Sequence, residues 1–268
     1  MATTVSCILY GGLGNQLFQI IATIAYSIKH NLNFQFHYST SLGKRSTYWS
    51  SFLFRLAPFT NANLDYTGFQ QITETDYTNS PTNNIVLDGY FQSPQFFVDQ
   101  EASIFKMIGI EEHCNLIKEK YMIGDNSISI HFRRGDYKSL PDCHPILHDD
   151  YYAEAIYYIL TQDTSISRIY YYCEDEDLPD IELIIADLLT LFSGITMTRI
   201  KADADWEEMV CMSCSTHNII ANSSFSWWGA YFNMNHNKIV CYPAQWFGPL
   251  IQKDVADMFP EDWIKIWI

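Results

Sequence analysis

The chain is short of charge, and shorter still of positive charge. Charged residues make up 18% of its 268 positions, below the roughly 25% of an ordinary globular protein. Sixteen Lys and Arg face 31 Asp and Glu, a net charge of −15. Such a field repels phosphate backbones at long range, which excludes sequence-independent binding to nucleic acid. An anionic ligand has to meet a local cationic pocket instead. Long apolar runs are missing too. The longest, Leu17 to Ile28, is too short and too interrupted to span a bilayer, and no secretory leader is visible. The expectation is a soluble, cytoplasmic protein without stable membrane insertion. Cysteine is sparse and odd in number, seven in all, so a disulfide framework is not expected. Cys211 and Cys214 form a single C-x-x-C in a helical-looking stretch with no second pair, which reads as buried thiols rather than a zinc site. There is no H-E-x-x-H, no G-x-S-x-G, no internal repeat and no low-complexity tract. His144 and His148 are four apart, but Pro145 breaks a regular metal-binding helix face, so a loop pair is expected and no metal.

What is present is enough to build a core. Apolar residues reach 48% and aromatic residues 16%, with eighteen tyrosines. Most tyrosines read as packing; sugar-stacking platforms are the second reading. The first half opens with a strand, Val5 to Tyr10, a glycine turn, and a helix from about Asn15 to His30. Strands at Phe34–Tyr38 and Ile85–Leu87 follow, with irregular chain over 39–83 and two helical patches between Pro94 and Tyr121. The turn Gly124-Asp125-Asn126 is a candidate boundary, giving domains 1–124 and 125–268. Beyond it strands and helices alternate. Strands are expected at Ser127–Phe132, Ile169–Cys173, Ile195–Ile200, Asn218–Ala221 and, last, Lys238–Cys241. Helices are expected at Asp150–Leu160, Ile181–Leu191, Trp206–Cys214 and Phe225–Met234. This is the α/β pattern of a parallel sheet covered on both faces. Such sheets bind ligands beyond the carboxyl ends of their strands, so the loops after strands are where chemistry belongs.

Four loops stand out. Gly11-Gly12-Leu13-Gly14-Asn15-Gln16 follows the first strand. It is neither the dinucleotide fingerprint, since Leu17 replaces the third glycine, nor a P-loop, since no Gly-Lys-Ser/Thr follows. A turn opening a helix suits phosphate or sugar oxygens, and a purely structural turn is equally consistent. His131-Phe132-Arg133-Arg134-Gly135-Asp136-Tyr137 places two arginines at the mouth of the sheet. Guanidinium forks match phosphate oxygens and stay charged when desolvated; the bland alternative is surface arginines paired with nearby acids. Glu174-Asp175-Glu176-Asp177 could accept hydrogen bonds from a ribose or a guanine, or be a solvated acidic loop for most of its length. Asn222-Ser223-Ser224 precedes a helix, as a cap or as an anion-facing segment. Trp227 and Trp228 after it read as core.

Three blocks together carry a resemblance: Gly11 to Gln19, His131 to Tyr137, and Asn218 to Ala230. Asp88-Gly89-Tyr90-Phe91-Gln92-Ser93 fits more weakly. The chain resembles the α-1,2-fucosyltransferases of glycosyltransferase family 11, and the blocks occur in the family's order across most of its length. The resemblance implies a GT-B-like fold, two Rossmann-like domains facing a central cleft. It implies an N-terminal acceptor-side domain and a C-terminal domain that binds GDP-fucose. It implies inverting transfer of L-fucose from GDP-β-L-fucose to a galactose-terminated glycan, with no metal and no cofactor besides the donor substrate. Arg133 and Arg134 are implied to bind and activate the pyrophosphate. His131 matches a histidine near the nucleotide, Asn15 an asparagine that reaches the donor, and Asn222, Ser223 and Ser224 a segment facing the phosphates. Cys173-Glu174-Asp175 stands where Ser-Asp-Asp is usual, so Glu174 and Asp175 are the candidate guanosine contacts. Asp136, beside the arginines, is a candidate base for the acceptor hydroxyl, or else an arginine partner.

Overall fold

The alternation in the second half of the chain folds as one parallel sheet. The computed structural model describes residues 3–78 and 83–267. Two compact units emerge, Met1–His113 with Asp257–Phe259, and Cys114–Ala256 with Pro260–Ile268. The division falls between His113 and Cys114, within the helix Ile110–Lys120, and not at the turn before Ser127. That turn, with Asn126 at φ 55°, leads the chain into a strand and does not separate the units.

The second unit holds six strands. Across the sheet they run Thr196–Arg199, Arg168–Tyr172, Ser127–His131, His217–Ile219, Val240–Pro243 and Ile264–Ile266, all parallel. Numbered along the chain, the spatial order is 3-2-1-4-5-6, that of a dinucleotide-type doubly wound fold. The sixth strand is absent from the sequence expectation. It is three residues long and only partly buried, so no apolar run announces it. One sheet face buries Ile128, Ile130, Ile169, Tyr171 and Ile219 against Ile156 and Ile159 of the helix Asp149–Gln162 and Ile181, Ile185 and Leu188 of the helix Leu178–Leu191. The period-two spacing of the strand residues selects that face. On the other face, Asn218 Nδ2 donates to Ser129 Oγ at 2.7 Å and to Met212 O at 2.7 Å, tying the sheet to the helix Asp205–Ser213. That helix packs closely on Ser224–Tyr231 because Gly229 has no side chain: a Cβ there would come within 2.9 Å of Met212 Cβ. Trp227 and Trp228 are fully buried, as expected, and Trp227 stacks on Tyr231 at 4.5 Å and lies 5.4 Å from Trp263.

The first unit has a four-stranded parallel sheet in the order Asn33–Phe34, Thr4–Cys7, Ile85–Leu87, Gln70–Ile72. The helix Leu13–His30 is buried almost all round, and the polar residues in its apolar run are buried with it, Thr23 and Ser27 donating back to the helix carbonyls of Gln19 and Ile24. It stops at Asn31, in the left-handed conformation at φ 52°, after Lys29, whose charge suits a helix C-terminus. The expected strand at Phe34–Tyr38 is broken. Phe34 pairs with Val5, whereas Phe36 pairs with Thr60 in a separate two-stranded ladder. Within 39–83 the chain is less irregular than expected, holding the hairpin Ser41–Leu42/Arg45–Ser46, the 3-10 helix Phe54–Phe59 and the edge strand Gln70–Ile72. The part of that stretch at 79–82 lies outside the described residues. Among the described residues no helix is long and apolar enough to cross a membrane.

Candidate active site

In the second unit the strand order reverses between Ser127–His131 and His217–Ile219. The crevice at such a switch point is where doubly wound sheets bind ligands. The two loops that leave it are His131-to-Tyr137 and Ile220-to-Ser224, two of the four loops singled out by sequence. They are joined directly, Tyr137 Oη donating to Asn222 O at 3.0 Å. Asn222 is buried, its Nδ2 donating to Pro145 O at 2.9 Å and Trp246 O at 3.2 Å. Ser223 caps the following helix, its Oγ accepting from Phe225 N at 3.3 Å, and Ser224 is the first helical residue. The cap uses a lone pair of Ser223 Oγ and not its O–H, so the cap and the phosphate-facing reading are compatible at this residue.

Three buried polar atoms on these loops have no hydrogen-bond partner in the protein: His131 Nδ1, Arg134 Nε and Asn222 Oδ1. Buried polar groups are almost always satisfied, so three at one sheet edge make this edge the candidate ligand site. Burial, and then the neighbouring Arg133, push the His131 pKa down to about 3. Its imidazole is neutral at physiological pH and serves as a hydrogen-bonding group, not a proton carrier. The Arg133 guanidinium bonds to Glu174 Oε1 and Asp136 Oδ1 and lies 5.1 Å from the Tyr137 ring centroid. Arg134 is looser, its Nε 3.9 Å from Asp180 Oδ2.

The acidic loop is exposed at Glu174, Asp175 and Glu176, as expected for most of its length, but two of these acids are ion-paired and the fourth is buried. Glu174 takes Arg133, and Asp175 takes Arg199 and Lys201, each at 2.6 Å. Lys201 and then Arg199 hold the Asp175 carboxyl below its ordinary range. Asp177 is fully buried, accepting from Gly135 N at 2.7 Å and pairing with Lys138 Nζ at 2.7 Å. Sequence reasoning missed Asp177 as the anchor of the arginine loop. The signal was its place just before Leu178-Pro179, a helix start where a carboxylate is unremarkable. Tyr137 and His144 were missed as well; their rings stack at 4.6 Å and 18°. His148 caps the helix Asp149–Gln162 and pairs with Asp150, well apart in role from His144.

Asn15 belongs to the first unit. It lies in the first turn of Leu13–His30 rather than in the loop, with Oδ1 accepting from Gln92 Nε2 at 2.9 Å. Gly11, at φ 82°, is required there: a Cβ would stand 2.5 Å from Asn15 Nδ2. Among the described residues no three His, Cys, Asp or Glu are grouped as metal ligands would be. All seven cysteines are free thiols; Cys211 is buried, and Cys214 Sγ donates to Val210 O at 3.2 Å.

Comparison with known proteins follows this geometry. The sequence pattern of glycosyl transferase family 11 matches residues 56–267. The chain belongs to glycosyl transferase family 11. Over 96% of its length this family-11 enzyme is 26% identical to an alpha-1,2-colitosyltransferase of Escherichia coli, covering 97% of that protein. It is 31% identical over 69% of its length to the O-antigen biosynthesis glycosyltransferase WbnK of Escherichia coli, spanning 61% of that protein. Among solved structures, POFUT1 in complex with GDP superposes with a TM-score of 0.51 at 10% identity, over 90% of this chain and 98% of that one. A mutant of Arabidopsis thaliana FUT1 in complex with GDP gives a TM-score of 0.50 at 10% identity, over 87% of this chain and 69% of that one. The fold of the family-11 chain is accordingly of the GT-B type found in fucosyltransferases.

Proposed function

We propose that this family-11 enzyme moves L-fucose from GDP-β-L-fucose to the 2-hydroxyl of a terminal galactose in a glycan, with inversion. One observation carries the donor side. Two arginines and three unpartnered buried polar atoms flank the switch point of a Rossmann-like sheet. In a chain of net charge −15, two adjacent guanidinium groups, Arg133 braced by Glu174 and Asp136, are the groups that would meet the phosphates of a nucleoside diphosphate. When the bond from fucose C1 to the phosphate oxygen breaks, negative charge grows on GDP. Arg133 and Arg134 are placed to stabilise that charge, and preorganised cations are worth most where charge develops. His131 Nδ1 and the loop Asn222-Ser223-Ser224 complete the donor site, with Glu174 and Asp175 at its guanosine side. The arginines take the part a divalent ion plays in other transferases, so no metal and no cofactor enter this reading. Asp136 holds the Arg133 fork; to act as the base for the acceptor hydroxyl it would have to release that arginine. The second unit is the donor unit in this reading and the first the acceptor-side unit; Asn15, which the family resemblance counts among the donor-binding residues, belongs to the first.

The linkage draws support from the name of the alpha-1,2-colitosyltransferase relative. The same relative favours a second reading, in which the donor is a GDP-sugar other than GDP-fucose. Colitose is fucose without its 3-hydroxyl. The test is GDP release from GDP-fucose and from GDP-colitose, each with and without lactose, in excess EDTA. Lactose-stimulated release from GDP-fucose, with a 2-linked fucosyl product by NMR, is the expected result. Faster release from GDP-colitose would install the second reading. Complete loss of activity in EDTA, restored by manganese or magnesium, would overturn the metal-free mechanism.

A further inference from the structure

The hexapeptide Asp88-Gly89-Tyr90-Phe91-Gln92-Ser93 has no part in the donor site, yet it occupies an equivalent place in the first unit. Numbered along the chain, that unit's strands lie in the order 2-1-4-3, so its own reversal falls between Thr4–Cys7 and Ile85–Leu87. The residues leaving the carboxyl ends of these two strands are Ile8-Leu9-Tyr10 and Asp88-Gly89-Tyr90. Tyr10 and Tyr90 meet edge to face with ring centroids 4.7 Å apart, and Tyr90 is 39% exposed. Between the loops stands the half-buried carboxylate of Asp88. Gln71 Nε2 donates to its Oδ2 at 2.6 Å, and Tyr10 Oη lies 3.5 Å from Oδ1. A carboxylate offers about four lone-pair sites, so Asp88 keeps capacity for hydroxyl donors.

The cluster is held rigidly. Gln19, fully buried, accepts from Tyr10 N at 3.1 Å and donates to Gly89 O at 3.3 Å. Glu74 Oε1 accepts from Tyr90 N at 2.9 Å and Phe91 N at 2.7 Å. Phe91, fully buried, is fixed at φ 52°, a conformation costly for a bulky side chain and maintained only where the surroundings enforce it. Backbone of this kind concentrates at functional sites.

We propose that Tyr10, Asp88 and Tyr90 form the subsite that binds the terminal sugar of the acceptor glycan. The proposal rests on the reading of the protein as a glycosyltransferase. Its ligand class follows from the chemistry. A carboxylate with a second acid, Glu74, behind the turn repels phosphate and takes neutral donors. An exposed aromatic ring takes the apolar C–H face of a pyranose, and Asp88 takes its hydroxyls. A terminal sugar offers both at once; a nucleotide does not.

The experiment compares wild type, Tyr90→Ala, Tyr90→Phe and Asp88→Asn in the full chain. Saturation-transfer NMR with methyl β-galactoside and with lactose reads sugar binding without turnover. GDP affinity and melting temperature are measured alongside, as is KM for lactose where transfer occurs. Tyr90→Ala and Asp88→Asn should weaken sugar binding and raise KM for lactose at least tenfold, with GDP affinity unchanged. Tyr90→Phe should stay near wild type, because the ring face is retained. Sugar signals equal to wild type in folded Tyr90→Ala and Asp88→Asn, or no signal from wild type itself, would overturn the subsite. Sugar binding that depends on Tyr90, in a protein that neither binds GDP nor turns over either donor, would uphold the subsite and sink the donor reading.

Discussion

At the scale of single residues, Arg133 and Arg134 are neighbours with different circumstances. Arg133 is braced by Glu174 and Asp136, whereas Arg134 keeps an unpartnered Nε. Losing a charge-assisted hydrogen bond to a bound anion costs roughly 1.5–3 kcal/mol. If the contact strengthens as the donor bond breaks, alanine at either position should lower kcat by on the order of 10²–10³. Lysine should restore only part, since a point charge cannot reproduce the planar fork. The two variants should also differ. Arg133→Ala strands two carboxylates, Glu174 and Asp136, within the proposed donor site, so GDP affinity should fall further than in Arg134→Ala. Adding Glu174→Gln to Arg133→Ala should recover some of it. Turnover, GDP affinity and melting temperature for these variants and wild type decide the matter; stable alanine variants with wild-type turnover would remove the arginines from the mechanism. The arginine pair was legible in the sequence because a cationic dipeptide is rare in so acidic a chain. Its anchor was not, because Asp177 lies within four consecutive acids and only folding separates the one that is buried.

At the scale of elements, the helix Asp205–Ser213 begins with Asp205, Glu207 and Glu208 in its first turn. Acids there complement the helix dipole, but burial dominates at Glu208 and pushes its carboxyl up to about 7, although Ala202 N donates to it. The folded-state pKa lies above the ordinary 4.5. The group therefore favours the fold most at low pH, and that contribution is lost as pH rises from about 4.5 towards about 7. Glu208→Gln keeps an oxygen for the Ala202 N–H and removes the ionisation. Its melting temperature should exceed wild type by more at pH 8 than at pH 5; an equal difference at both would show that Glu208 does not titrate in this range. Elements of the second unit were readable because strand and helix periods alternate cleanly, and the expected spans match to within a few residues. In the first unit the strand Thr4–Cys7, the helix Leu13–His30 and the strand Ile85–Leu87 were readable too, but the elements between Asn33 and Ile72 were not. Phe34 and Phe36 serve two different ladders across one intervening residue, and Gln70–Ile72 is a polar edge strand, so neither leaves an alternating pattern.

At the scale of the whole molecule, the parallel sheet of the second unit follows from the alternation of strands and helices and the pairing of two α/β units from the family resemblance, while the place of the division follows from neither. The helix Ile110–Lys120 runs through that division without a glycine or proline, so nothing in its sequence interrupts. The aromatic residues are divided unevenly as well. All seven tryptophans are among the described residues, and Trp49, stacked on Phe36, is the one that lies in the first unit. Trp227, Trp228 and Trp263 form the buried cluster beside the helix that leaves the Asn222 loop. Intrinsic tryptophan fluorescence is therefore a nearly private signal of the second unit. Excitation energy absorbed in that cluster migrates among rings about 5 Å apart, and its burial keeps its emission blue-shifted until that unit opens, whereas the exposed Trp267 emits to the red throughout. Far-UV circular dichroism, in contrast, weighs both units. A Trp49→Phe protein makes the separation complete, so any gap between its emission and ellipticity curves in a denaturant titration is attributable to the first unit.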